Sequence, residues 1–209
     1  MNRIPVASGA RGLIFDLDGT LADTMPLHHA AWHETFAAIG VACPQSFLAS
    51  LDGVPSPEIV QRYNLAFGAD LDPVSVARAK ERAVFARLAD AHPIAPVVEV
   101  ARRYRGDLPL AVATGGVRAN ADAILQAIGL ADAFEAVVTA DDPVRPKPQP
   151  DIFLEAARRL GVPAASCQVF EDAEMGLEAG RRAGMIVVDV RPYLNGKAKS
   201  LGLSTNAGR

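Results

Sequence analysis

Cysteine is scarce in this chain. Cys43 and Cys167 stand far apart, with no CxxC pair and no metal-ligand spacing. That argues against a disulfide framework and fits a reducing cytoplasm. Clustered positive charge is missing as well. Lys and Arg number 21 against 24 Asp and Glu, a net charge of -3, and the basic residues stand singly without interleaved aromatics. Nucleic acid is therefore not an expected partner. No apolar run approaches the roughly 18 residues of a membrane span. Residues 1–11 lack the apolar stretch of a signal peptide. The expectation is a cytoplasmic protein with no membrane partner. There is no long internal repeat and no low-complexity tract; the polar, glycine-containing tail 195–209 reads as loosely ordered.

What the chain does have is apolar matter: half of its 209 residues are hydrophobic. That suffices for one domain with an elaboration, or for two small ones. Short apolar runs at 12–15, 108–113, 136–139, 168–170 and 186–190 read as buried strands. Helical patterns at 97–104, 117–128, 152–160 and 173–183 lie between them. Such alternation predicts a mainly parallel α/β sheet with right-handed crossovers, whose ligands bind beyond the carboxyl ends of the strands. Residues from about 23 to 93 break the alternation and read as all-helical. Stretch 27–39 carries Trp32, Phe36 and Ile39 at helical spacing. Stretches 57–67 and 73–91 each open with proline in an early helical position. The expected domains are an α/β core from 1–22 and 94–209 and a helical insertion from 23–93. Gly19, Pro93 and Pro96 are candidates for the two crossings between them.

Four segments carry chemistry. Phe15-Asp16-Leu17-Asp18-Gly19-Thr20, Ala113-Thr114-Gly115-Gly116 and Phe170-Glu171-Asp172 each end an apolar run with polar residues. Pro146-Lys147-Pro148-Gln149-Pro150-Asp151 supplies a lone cation in a proline-rich loop. A carboxylate pair, a hydroxyl, an ammonium and a second acidic pair are what metal-assisted phosphoryl transfer needs. Each segment alone has a blander reading. Asp16, Asp172 and Thr114 are ordinary helix-capping types, Asp18 precedes a turn glycine, and a lone lysine in a loop is usually solvated. The ordered set is what gives them weight.

That set resembles the haloacid dehalogenase-like hydrolases. DxDGT stands at Asp16 to Thr20, followed by Leu21-Ala22-Asp23-Thr24. The second motif is at Thr114, the third at Lys147-Pro148 with Pro150-Asp151, and the fourth at Glu171-Asp172-Ala173. The likeness runs from Gly12 to about Tyr193. It is nearest to the β-phosphoglucomutase-like branch and, within it, to bacterial fructose-1-phosphate/6-phosphogluconate phosphatases. Those likenesses lie in Gly12 to Thr20, Ala31-Trp32, Leu71-Asp72-Pro73, Ala113-Thr114-Gly115 and Val169 to Ala173. The resemblance implies a Rossmann-like core with an inserted helical cap. It also implies a Mg²⁺-dependent phosphatase that acts on a small sugar phosphate through an aspartyl-phosphate. A monomer is the expected state.

On that footing Asp16 is the expected nucleophile and Asp18 the general acid and base. Asp18 also argues against a dehalogenase, since a departing halide needs no proton. The expected metal ligands are Asp16, the Asp18 carbonyl, Glu171 and Asp172, hard oxygens suited to Mg²⁺. Expected substrate contacts are Thr114, Gly115, Gly116 and Lys147 in the core, with His28 and Lys80 in the cap. His28 and Lys80 have the competing reading of a solvated helix face. The mutase branch carries a lysine and an arginine in an L-K-G-V-x-R-like cap segment. Here the segment is Leu51-Asp52-Gly53-Val54-Pro55-Ser56, so Asp52 and Ser56 replace both cations. This favours water over a second sugar as phosphoryl acceptor. The alternatives are a phosphosugar mutase, a non-catalytic phosphate-sensing module and, for want of a Schiff-base lysine in the cap, less readily a phosphonate hydrolase.

Overall fold

The computed structural model describes residues 3–51 and 54–194. Asp52 and the tail 195–209 lie outside the described residues. The main sheet has five parallel strands: β1 (Gly12–Phe15), β4 (Leu110–Ala113), β5 (Ala136–Val138), β6 (Cys167–Glu171) and β7 (Ile186–Asp189). Their order is β5-β4-β1-β6-β7, so β1 lies at the centre. β1, β4 and β6 are buried throughout, as befits strands covered on both faces.

The period of two sorts the side chains. Leu13 and Phe15 face a cluster with Val97, Val98 and Ala101 of α5 (Ala95–Tyr104) and Ile124 and Leu125 of α6 (Arg118–Ala127). Ile14 faces the opposite cluster, with Ile152 and Phe153 of α7 (Asp151–Leu160) and Ala179 of α8 (Glu174–Arg182). Helices thus cover both faces. Phe15 is paired in register with Phe170, and their rings stack at 4.6 Å and 9°. Such a pair adds about 0.5–1.5 kcal/mol beyond its buried area. The next residue on each strand is an acid, so this register sets Asp16 beside Glu171.

Between β1 and α5 the chain builds α1 (Met25–Ala38), α2 (Gln45–Ala49), α3 (Ser56–Phe67) and α4 (Pro73–Phe85). These helices form a cap with its own apolar cluster of Trp32, Phe36, Leu48, Ile59, Val60 and Tyr63. Asp72 caps α4 by accepting from the Ser75 amide at 2.9 Å, with Pro73 in the first turn. The all-helical reading of residues 23–93 misses one feature. β2 (Ala22–Asp23) and β3 (His92–Pro93) pair antiparallel where the chain leaves and re-enters the core. The helix expected over 73–91 also stops at Phe85 and gives way to a 3₁₀ turn, Leu88–Asp90. Leu88 is fully buried in the core cluster, and the chain must turn there to reach β3. Among the described residues no helix is long and apolar enough to cross a membrane.

Candidate active site

Every core segment singled out in the sequence reaches the carboxyl end of the sheet. Asp16 follows β1, Thr114 follows β4, Glu171 ends β6 with Asp172 after it, and Lys147 comes from the loop after β5. Asp16, Glu171 and Asp172 offer carboxylate oxygens that lie within 4.8 Å of one another. Lys147 Nζ lies between two of them, donating to Asp16 Oδ1 at 2.6 Å and Glu171 Oε2 at 2.7 Å. The same nitrogen lies over the Phe153 ring, 5.0 Å from the centroid. The other Glu171 oxygen accepts from the amides of Asp172 and Ala173 at 3.1 and 3.0 Å. Thr20 donates to Asp172 Oδ1 at 2.7 Å.

Two of these carboxylates share the Lys147 ammonium with the third close by, and the titration of the group reflects it. Burial pushes Glu171 up to about 8, with the charges of Asp16 and Asp172 adding against the pull of Lys147. Burial likewise drives Asp16 upward, with Asp18 adding, although Lys147 opposes it. Burial also disfavours the Lys147 ammonium, but its two carboxylate partners outweigh that and hold its proton more firmly than usual. A small divalent cation fits this donor set of clustered hard carboxylate oxygens.

Two glycines make this packing possible. A Cβ on Gly176 would fall 1.9 Å from Glu171 Oε2. Gly19 has φ +85°, and a Cβ there would fall 2.4 Å from Asp172 Oδ2.

Asp18 is turned to another set of partners. Its Oδ1 accepts from Thr24 Oγ1 at 2.6 Å and faces His28 Nε2 at 3.1 Å; Thr114 Oγ1 donates to Oδ2 at 3.3 Å. Burial alone would raise its pKa, but His28, Thr24 and the Lys80 charge outweigh burial and bring it to about 2. Thr24 occupies the N-cap of α1 yet spends its hydroxyl on Asp18 instead of on the helix. The Gly116 amide donates to Thr114 Oγ1 at 3.0 Å, and a Cβ on Gly115 would meet nothing within 4 Å. That leaves the loop backbone open to an approaching anion.

His28 and Lys80 belong to the same network, and neither stands on a solvated face. Lys80 is 3% exposed, with Nζ 2.7 Å from His28 Nδ1 and 3.0 Å from Glu81 Oε1. Sequence reasoning gave no role to Thr20, Thr24, Glu81 or Asn120. The first two lie within or beside the first motif and were legible there. Glu81 and Asn120 carried no signal, because a helix with exposed polar residues looks alike wherever it points them.

The haloacid dehalogenase-like hydrolase family pattern matches residues 10–184. A fructose-1-phosphate phosphatase of Escherichia coli is 44% identical over 180 residues, covering 86% of this chain and 96% of that one. A β-phosphoglucomutase of Bacillus subtilis is 28% identical, over 86% and 83% of the two chains. Among solved structures, CbbY from Rhodobacter sphaeroides in complex with xylulose-(1,5)bisphosphate matches with a TM-score of 0.77. The identity is 29%, over 86% of each chain.

Proposed function

The chain belongs to the haloacid dehalogenase-like hydrolases, and from that premise we propose that it hydrolyses a small sugar phosphate monoester by way of an aspartyl-phosphate. One observation carries the reading. Asp16, Glu171 and Asp172 converge within 4.8 Å at the carboxyl end of the sheet, with Lys147 bridging two of them. The 44% identity to a fructose-1-phosphate phosphatase supports the substrate class.

Asp16 attacks phosphorus with one carboxylate oxygen. The bond from phosphorus to the sugar oxygen breaks, and that oxygen takes a proton from Asp18. Water then attacks the acyl phosphate and gives a proton back to Asp18, releasing phosphate and restoring the Asp16 carboxylate. With a pKa of about 2, Asp18 is ionised in the free protein, so it must gain its proton as the phosphate dianion arrives. Lys147 keeps Asp16 oriented and offers positive charge to the phosphoryl oxygens. Thr114 and the Gly115-Gly116 backbone supply further donors to those oxygens. Asp16, Asp172 and the Asp18 carbonyl would hold Mg²⁺, with Glu171 positioning Lys147 and the loop. When bound, the ion supplies Lewis-acid stabilisation of the transferring phosphoryl group.

Residues 23–93 act as a cap that closes during phosphoryl transfer and opens for water and product. The β2–β3 ribbon is its pivot. We place the protein in a reducing cytoplasm, in keeping with the free thiols of Cys43 and Cys167, and propose that it acts as a monomer.

The mutase reading has less support. Ser56, where that branch has arginine, spends its hydroxyl on Glu81 at 2.8 Å and brings no cation to a second phosphate. A non-catalytic module would have no need of a complete set of acids. A panel of phosphorylated metabolites, assayed for free phosphate with Asp16→Asn as control, tests the proposal. Release from a sugar monophosphate by the wild type alone is expected. Equal release by both proteins, or conversion of β-glucose 1-phosphate to glucose 6-phosphate without phosphate release, would overturn it.

A further inference from the structure

A lysine buried to 3% exposure needs partners for its ammonium, and Lys80 takes them from two directions. It meets His28 Nδ1 at 2.7 Å and Glu81 Oε1 at 3.0 Å, beside the Trp32 ring. An ammonium donates only, so Nδ1 of His28 must accept. The ring proton is then on Nε2, which donates to Asp18 Oδ1 at 3.1 Å. Glu81 is itself anchored twice. Ser56 Oγ donates to its Oε1 at 2.8 Å, and Asn120 Nδ2 donates to its Oε2 at 2.7 Å.

Asn120 is 4% exposed and lies in the first turn of α6, on the core, just beyond the Thr114 loop. The chain of contacts therefore starts at Asp18 on the core and passes into the cap through His28, Lys80 and Glu81. It returns to the core at Asn120. We propose that Glu81 and Asn120 are a positioning pair: their contact registers the cap on the core, and through Lys80 and His28 it holds Asp18 in the orientation that serves the leaving oxygen. The blander alternative is that Glu81 merely neutralises a buried lysine while Asn120 fills a polar gap. In that case Asp18 chemistry would not respond to either residue.

The proposal rests on reading Asp18 as the proton carrier for a poor leaving group. Its test compares Glu81→Gln and Asn120→Ala in the full chain, with fructose 1-phosphate and p-nitrophenyl phosphate as substrates. The ¹⁵N signals of the His28 ring, assigned with a His28→Asn variant, give a readout independent of turnover. In Glu81→Gln, kcat on the sugar phosphate should fall about 10- to 100-fold with KM little changed. The aryl phosphate should lose less than about 3-fold, because its oxygen leaves without a proton. Asn120→Ala should shift in the same direction by a smaller factor, and the double variant should be no worse than Glu81→Gln alone. The His28 ring signals should move away from the Nε2–H form in both variants.

Unmoved ring signals, equal losses on the two substrates, or additive losses in the double variant would each sink the proposal. Should the wild type hydrolyse no phosphomonoester, the function fails, and the ring signals alone decide whether the pair positions His28. Circular dichroism checks folding. If Glu81→Gln does not fold, Asn120→Ala, which removes only a neutral amide, carries the substrate comparison and the ring readout.

Discussion

At Gly176 a single methyl group would land 1.9 Å from Glu171 Oε2, the oxygen that holds Lys147. Glu171 is 1% exposed and has no room to retreat without dropping the lysine. Gly176→Ala should therefore cost about 1–3 kcal/mol by overpacking and lower kcat by about 10²-fold through the displaced ammonium. A denaturant titration beside a turnover assay checks both, and wild-type values in the two would show that the pocket yields. Asp18 makes a different demand. Asp18→Asn keeps the shape but gives up the proton, so the loss should be on the order of 10²–10⁴-fold with alkyl phosphates and far smaller with aryl phosphates. Equal losses with both leaving groups would leave Asp18 a structural or metal-holding part only. At this scale the motif residues were legible because their types and order are chemically demanding. Asn120 was not, since nothing in Ala119-Asn120-Ala121 hints that one amide crosses to another module.

The elements show a similar split. The strands of the core were visible as short apolar runs because burial on both faces demands them. The β2–β3 ribbon was invisible, because two-residue strands have no period to read. α4 was visible as a helix, but where it stops is decided by the need to bury Leu88. The face of α4 that turns toward α1 and α6 carries a pH dependence. Burial pushes the Glu81 carboxyl up, but Lys80, Ser56 and His28 outweigh it and hold it below its usual 4.5. The folded protein thus binds this proton less readily than the unfolded chain does. The stabilisation is complete above pH 4.5 and is lost as pH falls through the lower folded value. Melting temperatures of the wild type and Glu81→Gln, measured from pH 7 down to 3, should differ most at the neutral end and converge below 4.5. Curves that stay parallel throughout would remove Glu81 from the cap's stability.

Across the whole molecule, acidic side chains gather at the carboxyl end of the core sheet. The core sheet brings Asp16, Glu171 and Asp172 together, and Lys147 pairs with the first two. In the cap, the buried Lys80 is engaged by Glu81 and His28. A divalent cation held by the core carboxylate oxygens would relieve the repulsion between them. Mg²⁺ should therefore raise the melting temperature of the chelated protein. At 100-fold excess over Kd the expected gain is about 2.7 kcal/mol. The gain should shrink sharply in Asp172→Asn and only modestly in Thr20→Val, which loses the 2.7 Å bond that orients Asp172 but keeps the carboxylate. Phosphatase activity should vanish in chelator and return with Mg²⁺. Ca²⁺ should restore the melting temperature better than the activity, since its longer bonds and looser coordination bind the oxygens while misplacing Asp16. Full activity in chelator, or a Mg²⁺ stabilisation that Asp172→Asn leaves intact, would mean that the carboxylates answer to Lys147 alone.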